Sequence, residues 1–163
     1  MQNAINQGVE KLNIDDFQFL GLFPEVDKEA TIKNCKYHLT RILPKMIRAS
    51  GESINQLRSP SMDGMPRPSS ISNNADITIV RRVYAQQVVK RTIEAISHCD
   101  EKSKEVLDML YLQNYTDTMC YMSIGYSRGH YFDHVKPAAL LQFADAYLLD
   151  DLHIYKGEGN GQD

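Results

Sequence analysis

Residues 116–143 read TDTMCYMSIGYSRGHYFDHVKPAALLQF, and one glycine and one serine within them restrict the backbone more than any other feature of the chain. Gly125 tolerates the left-handed conformation that ends a helix, and Ser127, two residues on, is a good N-cap for the next one. Thr116 can cap the preceding helix, and Asp117 places negative charge at the positive end of its dipole. The spacing predicts a short helix, a tight turn and a second helix, the layout of a helix-turn-helix.

Helical periodicity divides the second helix into two faces. Tyr131, Val135, Ala138 and Ala139 fall on one side and are expected to be core. Arg128, Gly129, Phe132, Asp133 and Lys136 fall on the other. A cation and a small residue at the start of an outward face suit a helix whose first turns approach base edges while its neighbours touch phosphates. Arg128 is the better candidate for bidentate base contact, and Lys136 can donate to guanine or phosphate. Phe132 can touch a thymine methyl, or pack against the third helix instead. His130 can hydrogen-bond a base or phosphate, or simply be a surface histidine.

Pro137 is expected either to kink this helix after Lys136 or to end it and start another, because proline cannot donate the i to i−4 bond. Leu140, Phe143, Ala144, Tyr147 and Leu148 then extend a helical apolar face to about Leu152.

The rest of the chain also reads as helix. Asp27 can cap a helix running through Arg48, with Ile32, Cys35, Leu39, Ile42, Leu43 and Met46 as its apolar stripe and Pro44 as an interruption. Residues 76–98 form another, with Ile77, Val80, Tyr84, Val88, Ala95 and Ile96 near one face and Arg82, Gln86, Lys90, Glu94 and Ser97 opposite. Asp100 caps a third in KSKEVLDMLYL, with Val106, Leu107 and Leu110 inward, closed by Asn114 and Tyr115. The fold class is therefore all-α, a helical bundle carrying a C-terminal helix-turn-helix and a helical N-terminal part.

Composition marks the boundaries. Residues 1–49 form a helical N-terminal region, in which Phe17, Phe19, Leu20, Leu22 and Phe23 gather before Pro24 to pack on a neighbouring helix. Residues 50–75 are a Ser/Pro/Gly-rich linker or loop that allows movement between the two helical parts. Residues 76–155 are the helix-turn-helix domain, and 156–163 are expected to be disordered.

The net charge of −3 hides a local excess, since residues 28–67 hold eight Lys or Arg against three acids. Lys33, Lys36, Arg41, Lys45 and Arg48 lie off the apolar stripe, as a solvated surface or as contacts to phosphate or a partner.

No run of apolar residues approaches a membrane span, and the N-terminus lacks the basic and apolar regions of a signal peptide, so a soluble, cytoplasmic chain without membrane contact is expected. Cys35, Cys99 and Cys120 show no paired spacing and read as small buried groups. His130 and His134 have a spacing at which two imidazoles can share a metal, but no third ligand is fixed nearby. Neither His98 beside Cys99 nor Cys120 carries a nucleophile signature. No phosphate-cradling loop, nucleophile elbow or zincin pattern is present. No enzyme, metal or cofactor is expected.

Three stretches, LFPEVDKEATIKN (22–34), SPSMDGMPRPSS (59–70) and especially IGYSRGHYFDHVKPAALLQFADAYL (124–148), resemble the ArpU/RinA-like family of phage and prophage transcriptional regulators. The likeness spans most of residues 17–152 and departs from the family pattern at Gly129 and Pro137. It implies a domain similar to the promoter-reading region of sigma factors, acting in a bacterial host cell as an activator of late genes such as those for packaging and lysis. By the same resemblance, Ser127, Arg128, His130, Asp133 and Lys136 would be binding residues.

The expected partners are double-stranded DNA, RNA polymerase and a second copy of the chain, since one short helix reads few base pairs. The competing expectation is a helical interaction module that contacts only protein, such as RNA polymerase or another phage component.

Overall fold

The computed structural model describes residues 24–58 and 73–157, with side chains from 76 onward in the second span. The expected apolar packing of residues 17–23, most of the linker and the C-terminal tail lie outside the described residues. Among the described residues every regular element is helical, and a single isolated bridge joins Val26 to Tyr155. The protein is all-α.

The elements are α1 (Lys28–Tyr37), α2 (Leu43–Ser50), α3 (Ile54–Arg58), α4 (Asn73–His98), α5 (Glu101–Leu107), α6 (Asp117–Ser123), α7 (Arg128–His130) and α8 (Lys136–Ala146). Wide π turns link α1 to α2 (His38–Ile42) and α7 to α8 (Tyr131–Val135), and a third, Asp108–Leu112, extends α5. Asp27 caps α1 by accepting from the Ala30 N–H at 3.0 Å, and Asp100 caps α5 by accepting from Ser103 N–H at 2.7 Å. Gly51, at φ +72°, ends α2. Asn114, at φ +59°, supplies the left-handed residue after the third π turn.

Neither internal proline breaks its helix. A proline cannot bond the carbonyl four residues back, and its ring collides with that carbonyl. In both places the preceding residue bonds five back: Leu43 N–H to His38 O and Lys136 N–H to Tyr131 O. The wider turn takes up one extra residue and carries the chain past Pro44 and Pro137. Its cost is a shift of register. After Tyr131 the inward positions move on by one, so Ala139, Leu140 and Phe143 are buried while Ala138, expected in the core, is exposed. At the third π turn Met109 and Leu112 are buried, and Leu110, expected inward, packs half-buried against the same core.

One core holds the bundle. Cys35, Leu39 and Leu43 of the first helical run join Val89, Ala95 and Ile96 of α4, Val106 and Leu107 of α5, and Ala139, Leu140 and Phe143 of α8 in a single buried cluster. The helices on either side of residues 59–72 thus pack together through α2 on α4 and α1 on α8. Part of the stretch read as linker is itself helix, since α3 packs on α4 and Arg58 pairs with Asp108.

Two expectations about the ends of helices need correction. In α4, Ile77, Val80 and Tyr84 were assigned to the core face but are exposed. The last helix stops at Ala146 rather than near Leu152, and Leu148 points to solvent at 80 % exposure. Residues 147–157 run back as an extended strap over α1. Asn34 donates to Leu152 O at 2.9 Å, Ile154 N–H to Thr31 Oγ1 at 3.0 Å, and Asp27 N–H to Ile154 O at 2.7 Å. Among the described residues no helix is long and apolar enough to cross a membrane.

Two histidines make stability depend on pH in opposite directions. His38 is buried, 3.1 Å from Thr92 Oγ1 and with its ring 4.7 Å from that of Tyr147. Burial lowers its pKa from 6.5, against the opposing charge of Asp150. His153 lies 2.9 Å from Asp145 and 2.7 Å from Asp151. Burial alone would lower its pKa, but the two carboxylates outweigh that and raise it above 6.5. A lowered histidine gives stability that is lost as pH falls below the ordinary value. A raised one gives stability that is lost as pH climbs through the folded value. Denaturation midpoints measured across pH should therefore peak near neutrality, and His153→Gln should flatten the alkaline side only. A fall on the alkaline side that persists in His153→Gln would assign it to another group.

Candidate nucleic-acid interface

The candidate surface is built on α6, a four-residue connection and the helix that begins at α7. Thr116 caps α6, its hydroxyl accepting from Met119 N–H at 3.2 Å. At the other end Gly125 takes φ +74°, Tyr126 N–H bonds Tyr121 O at 3.0 Å and Gly125 N–H bonds Met122 O at 3.4 Å. This 6→1 and 5→2 pair is a Schellman closure and requires the left-handed residue that glycine supplies. Ser127 then caps the second helix by accepting from His130 N–H at 3.3 Å.

The inner face of the second helix is locked to the first. Tyr131 is fully buried, its ring 5.7 Å from that of Tyr121, and its hydroxyl donates to Asp117 Oδ1 at 2.9 Å. Lys136 Nζ donates to the same oxygen at 2.6 Å. Burial and the neighbouring carboxylate push the Tyr131 phenol far above its ordinary range, so it stays a donor. Lys136 was expected to face outward as a phosphate contact. Its side chain is instead only 14 % exposed, because the π turn rotates it toward Asp117.

The outer edge carries the other predicted residues. Arg128, Gly129, His130, Phe132 and Asp133 are all exposed. The Arg128 guanidinium lies 6.0 Å from the Phe132 ring centre and Lys136 Nζ lies 5.8 Å from it, so this half-covered ring is flanked by two cations. Phe132 is 40 % exposed, with its ring edge-on to Tyr131 at 5.1 Å. Among the described residues Arg128 forms no ion pair. Among the described residues a Cβ at Gly129 would meet nothing within 4 Å, so no packing among them explains a glycine there.

Several neighbours escaped the sequence reading. The Tyr126 ring lies 5.2 Å from that of His130, and Lys102 Nζ sits 6.0 Å from the Tyr126 ring centre. Lys102 follows the Asp100 cap in the exposed first turn of α5, and its distance in sequence from Tyr126 conceals the pairing. Met119 and Met122 of α6 are also exposed.

The predicted phosphate contacts Lys33, Lys36, Arg41, Lys45 and Arg48 are exposed along α1, its π turn and α2. None of them joins an ion pair among the described residues.

Other chemistries find less support. The His130 and His134 rings lie 5.2 Å apart, yet the described residues contain no group of three or more His, Cys, Asp or Glu placed to hold a metal. Burial pushes the Cys35 thiol up to about 12 and Cys99 up to about 11, and raises Cys120 also, which keeps all three protonated and poor as nucleophiles. A cleft of about 1550 Å³ lies elsewhere. Its lining sets Glu25, Asp27, Glu29, Asp145, Asp150 and Asp151 against Lys28, His153 and Lys156, an acidic balance that disfavours phosphate. Comparison of the chain with protein-family models, curated proteins and solved structures finds no match.

Proposed function

We propose that the chain is a sequence-specific double-stranded DNA-binding regulator of transcription, reading bases with the helix that begins at Arg128. The observation that carries this reading is the exposed edge of Arg128, Gly129 and Phe132 in the first turns of a helix whose opposite face is fixed by Tyr131. An exposed glycine inside a helix costs about 0.5–1 kcal/mol relative to alanine. Nothing among the described residues explains that cost, whereas close approach to an outside surface would. Used this way, α6, the Gly125 turn and the following helix form a helix-turn-helix. Lys33, Lys36, Arg41, Lys45 and Arg48 add candidate phosphate contacts from α1 and α2. The resemblance to ArpU/RinA-like regulators extends the proposal to activation of phage or prophage late genes in the bacterial cytoplasm.

One observation favours a second reading. Met119 and Met122 stand exposed on α6, the first helix of the same motif, and such adaptable side chains suit a protein partner such as RNA polymerase. Salt separates the two. A DNA binder loses affinity steeply as salt rises, in proportion to the phosphates neutralised, and an adaptor binds no duplex even at low salt.

The decisive measurement selects a target from random duplexes and compares its affinity with that of bulk DNA. Arg128→Ala should reduce the preference by about 1–3 kcal/mol, roughly 5- to 150-fold. Absence of duplex binding at low salt, or a preference untouched by Arg128→Ala, would reject base reading by this helix.

A further inference from the structure

The two halves of α4 point their apolar residues in different directions. In the C-terminal half Ala85, Val88, Val89, Thr92, Ala95 and Ile96 form the buried stripe. Continued toward the N-terminus at helical spacing, that stripe meets Thr78, Arg81 and Arg82, which are polar and exposed. The large apolar residues of this half lie on the other side. Ile79, Val80, Val83 and Tyr84 occupy an outward arc with Ile77 at its flank, and they are between 43 % and 66 % exposed. A helix serving only its own core keeps a single stripe, so a second stripe on the far side marks a surface built for a different contact. The outward arc turns polar at Gln87 and carries Lys90, Arg91 and Glu94 beyond it. Its apolar length is roughly 12 Å, a little over two turns, at about 1.5 Å per residue.

We propose that this arc is a homodimerisation surface on which two copies of α4 pack antiparallel about a twofold axis. The charges on the arc select that occupant and that direction. Asp76 lies on the arc at its N-terminal end, and Gln87 and Arg91 continue the same line at its C-terminal end. Antiparallel pairing centred between Val80 and Tyr84 brings Asp76 of each copy toward Gln87 and Arg91 of the other. Val80 of one copy then packs on Tyr84 of its partner. Parallel pairing would set the two Asp76 carboxylates side by side and align like ends of the helix dipoles. The arc therefore complements itself, as an isologous interface must. Arg91 already bonds Glu94 at 2.8 Å, an exposed pair that holds it weakly enough to be shared. The surface stands apart from the DNA-binding reading because it is measured without nucleic acid.

The test is analytical ultracentrifugation of the full chain in the absence of DNA. The wild type should be dimeric, and Val80→Glu should weaken the dimer roughly 100-fold or more, since pairing would bury an unpaired carboxylate. Because Val80 is exposed in the single chain, far-ultraviolet circular dichroism should stay unchanged, and the melting temperature should match wild type at concentrations low enough for both to be monomeric. Orientation is read from a short bismaleimide applied to a mixture of Val80→Cys and Tyr84→Cys chains, with wild type as control. Cross-links between the two different variants support the antiparallel arrangement. A wild type that stays monomeric at every concentration it tolerates, a Val80→Glu chain that dimerises as well as wild type, or cross-links formed only within each variant would overturn the proposal.

Discussion

Tyr131→Ala is expected to lower the unfolding free energy by about 3–5 kcal/mol, the range for truncating a large aromatic in a packed core. Tyr131 is the largest fully buried side chain, and it holds the second helix of the candidate interface against the first. Against a typical total of roughly 5–15 kcal/mol, that loss leaves little margin for the fold. Tyr131→Phe separates packing from hydrogen bonding. It keeps the ring against Tyr121 and loses only the bond to Asp117, for about 1 kcal/mol. Urea titration of the three chains reads both differences. If Tyr131→Ala stayed within about 1 kcal/mol of wild type, the two helices would be held by something other than this contact.

How much of this was legible in the sequence depended on whether the determining interaction was local. Asp27, Asp100, Thr116 and Ser127 were each readable as caps because a cap bonds an N–H within three residues. Gly125 was readable because its left-handed backbone is a property of one residue. The prolines were harder. Pro44 and Pro137 signal a break, but the chain can also widen one turn and continue, and nothing local distinguishes the outcomes. That single ambiguity moved the later register, leaving Ala138 in solvent and turning Lys136 inward. The outward arc of α4 was misread for a different reason. Ile77, Val80 and Tyr84 share a helical spacing with Val88, but periodicity does not say where the covering helix ends. α2 ends at Ser50, and the next residue, Gly51, lies against Arg82. In the candidate interface, Arg128, Gly129, Phe132 and Asp133 were placed outward by spacing alone, whereas the contact of Lys102 with Tyr126 depends on tertiary packing.

The inward turn of Lys136 carries the other large expected effect. Asp117→Ala should cost about 2–3 kcal/mol, less than a fully buried pair because the carboxylate is partly exposed. It removes the acceptor shared by the Tyr131 hydroxyl and the Lys136 ammonium, leaving a mostly buried cation with no partner. Asp117→Asn keeps an acceptor and should cost less. In a Lys136→Met background Asp117→Ala should also cost less than it does alone, because no ammonium is left stranded. That shortfall is the coupling of the pair. Under the proposed DNA-binding function, the same variants also test Lys136 as a phosphate contact. Held by Asp117, it is not free to neutralise a phosphate, so Lys136→Met should leave the salt dependence of duplex binding unchanged. Asp117→Asn loosens the ammonium and should steepen the salt dependence by about one phosphate contact. If Lys136→Met instead lowered the slope by about one, the lysine would be leaving Asp117 when the duplex arrives. The contact that fixes the two helices would then have to open during binding.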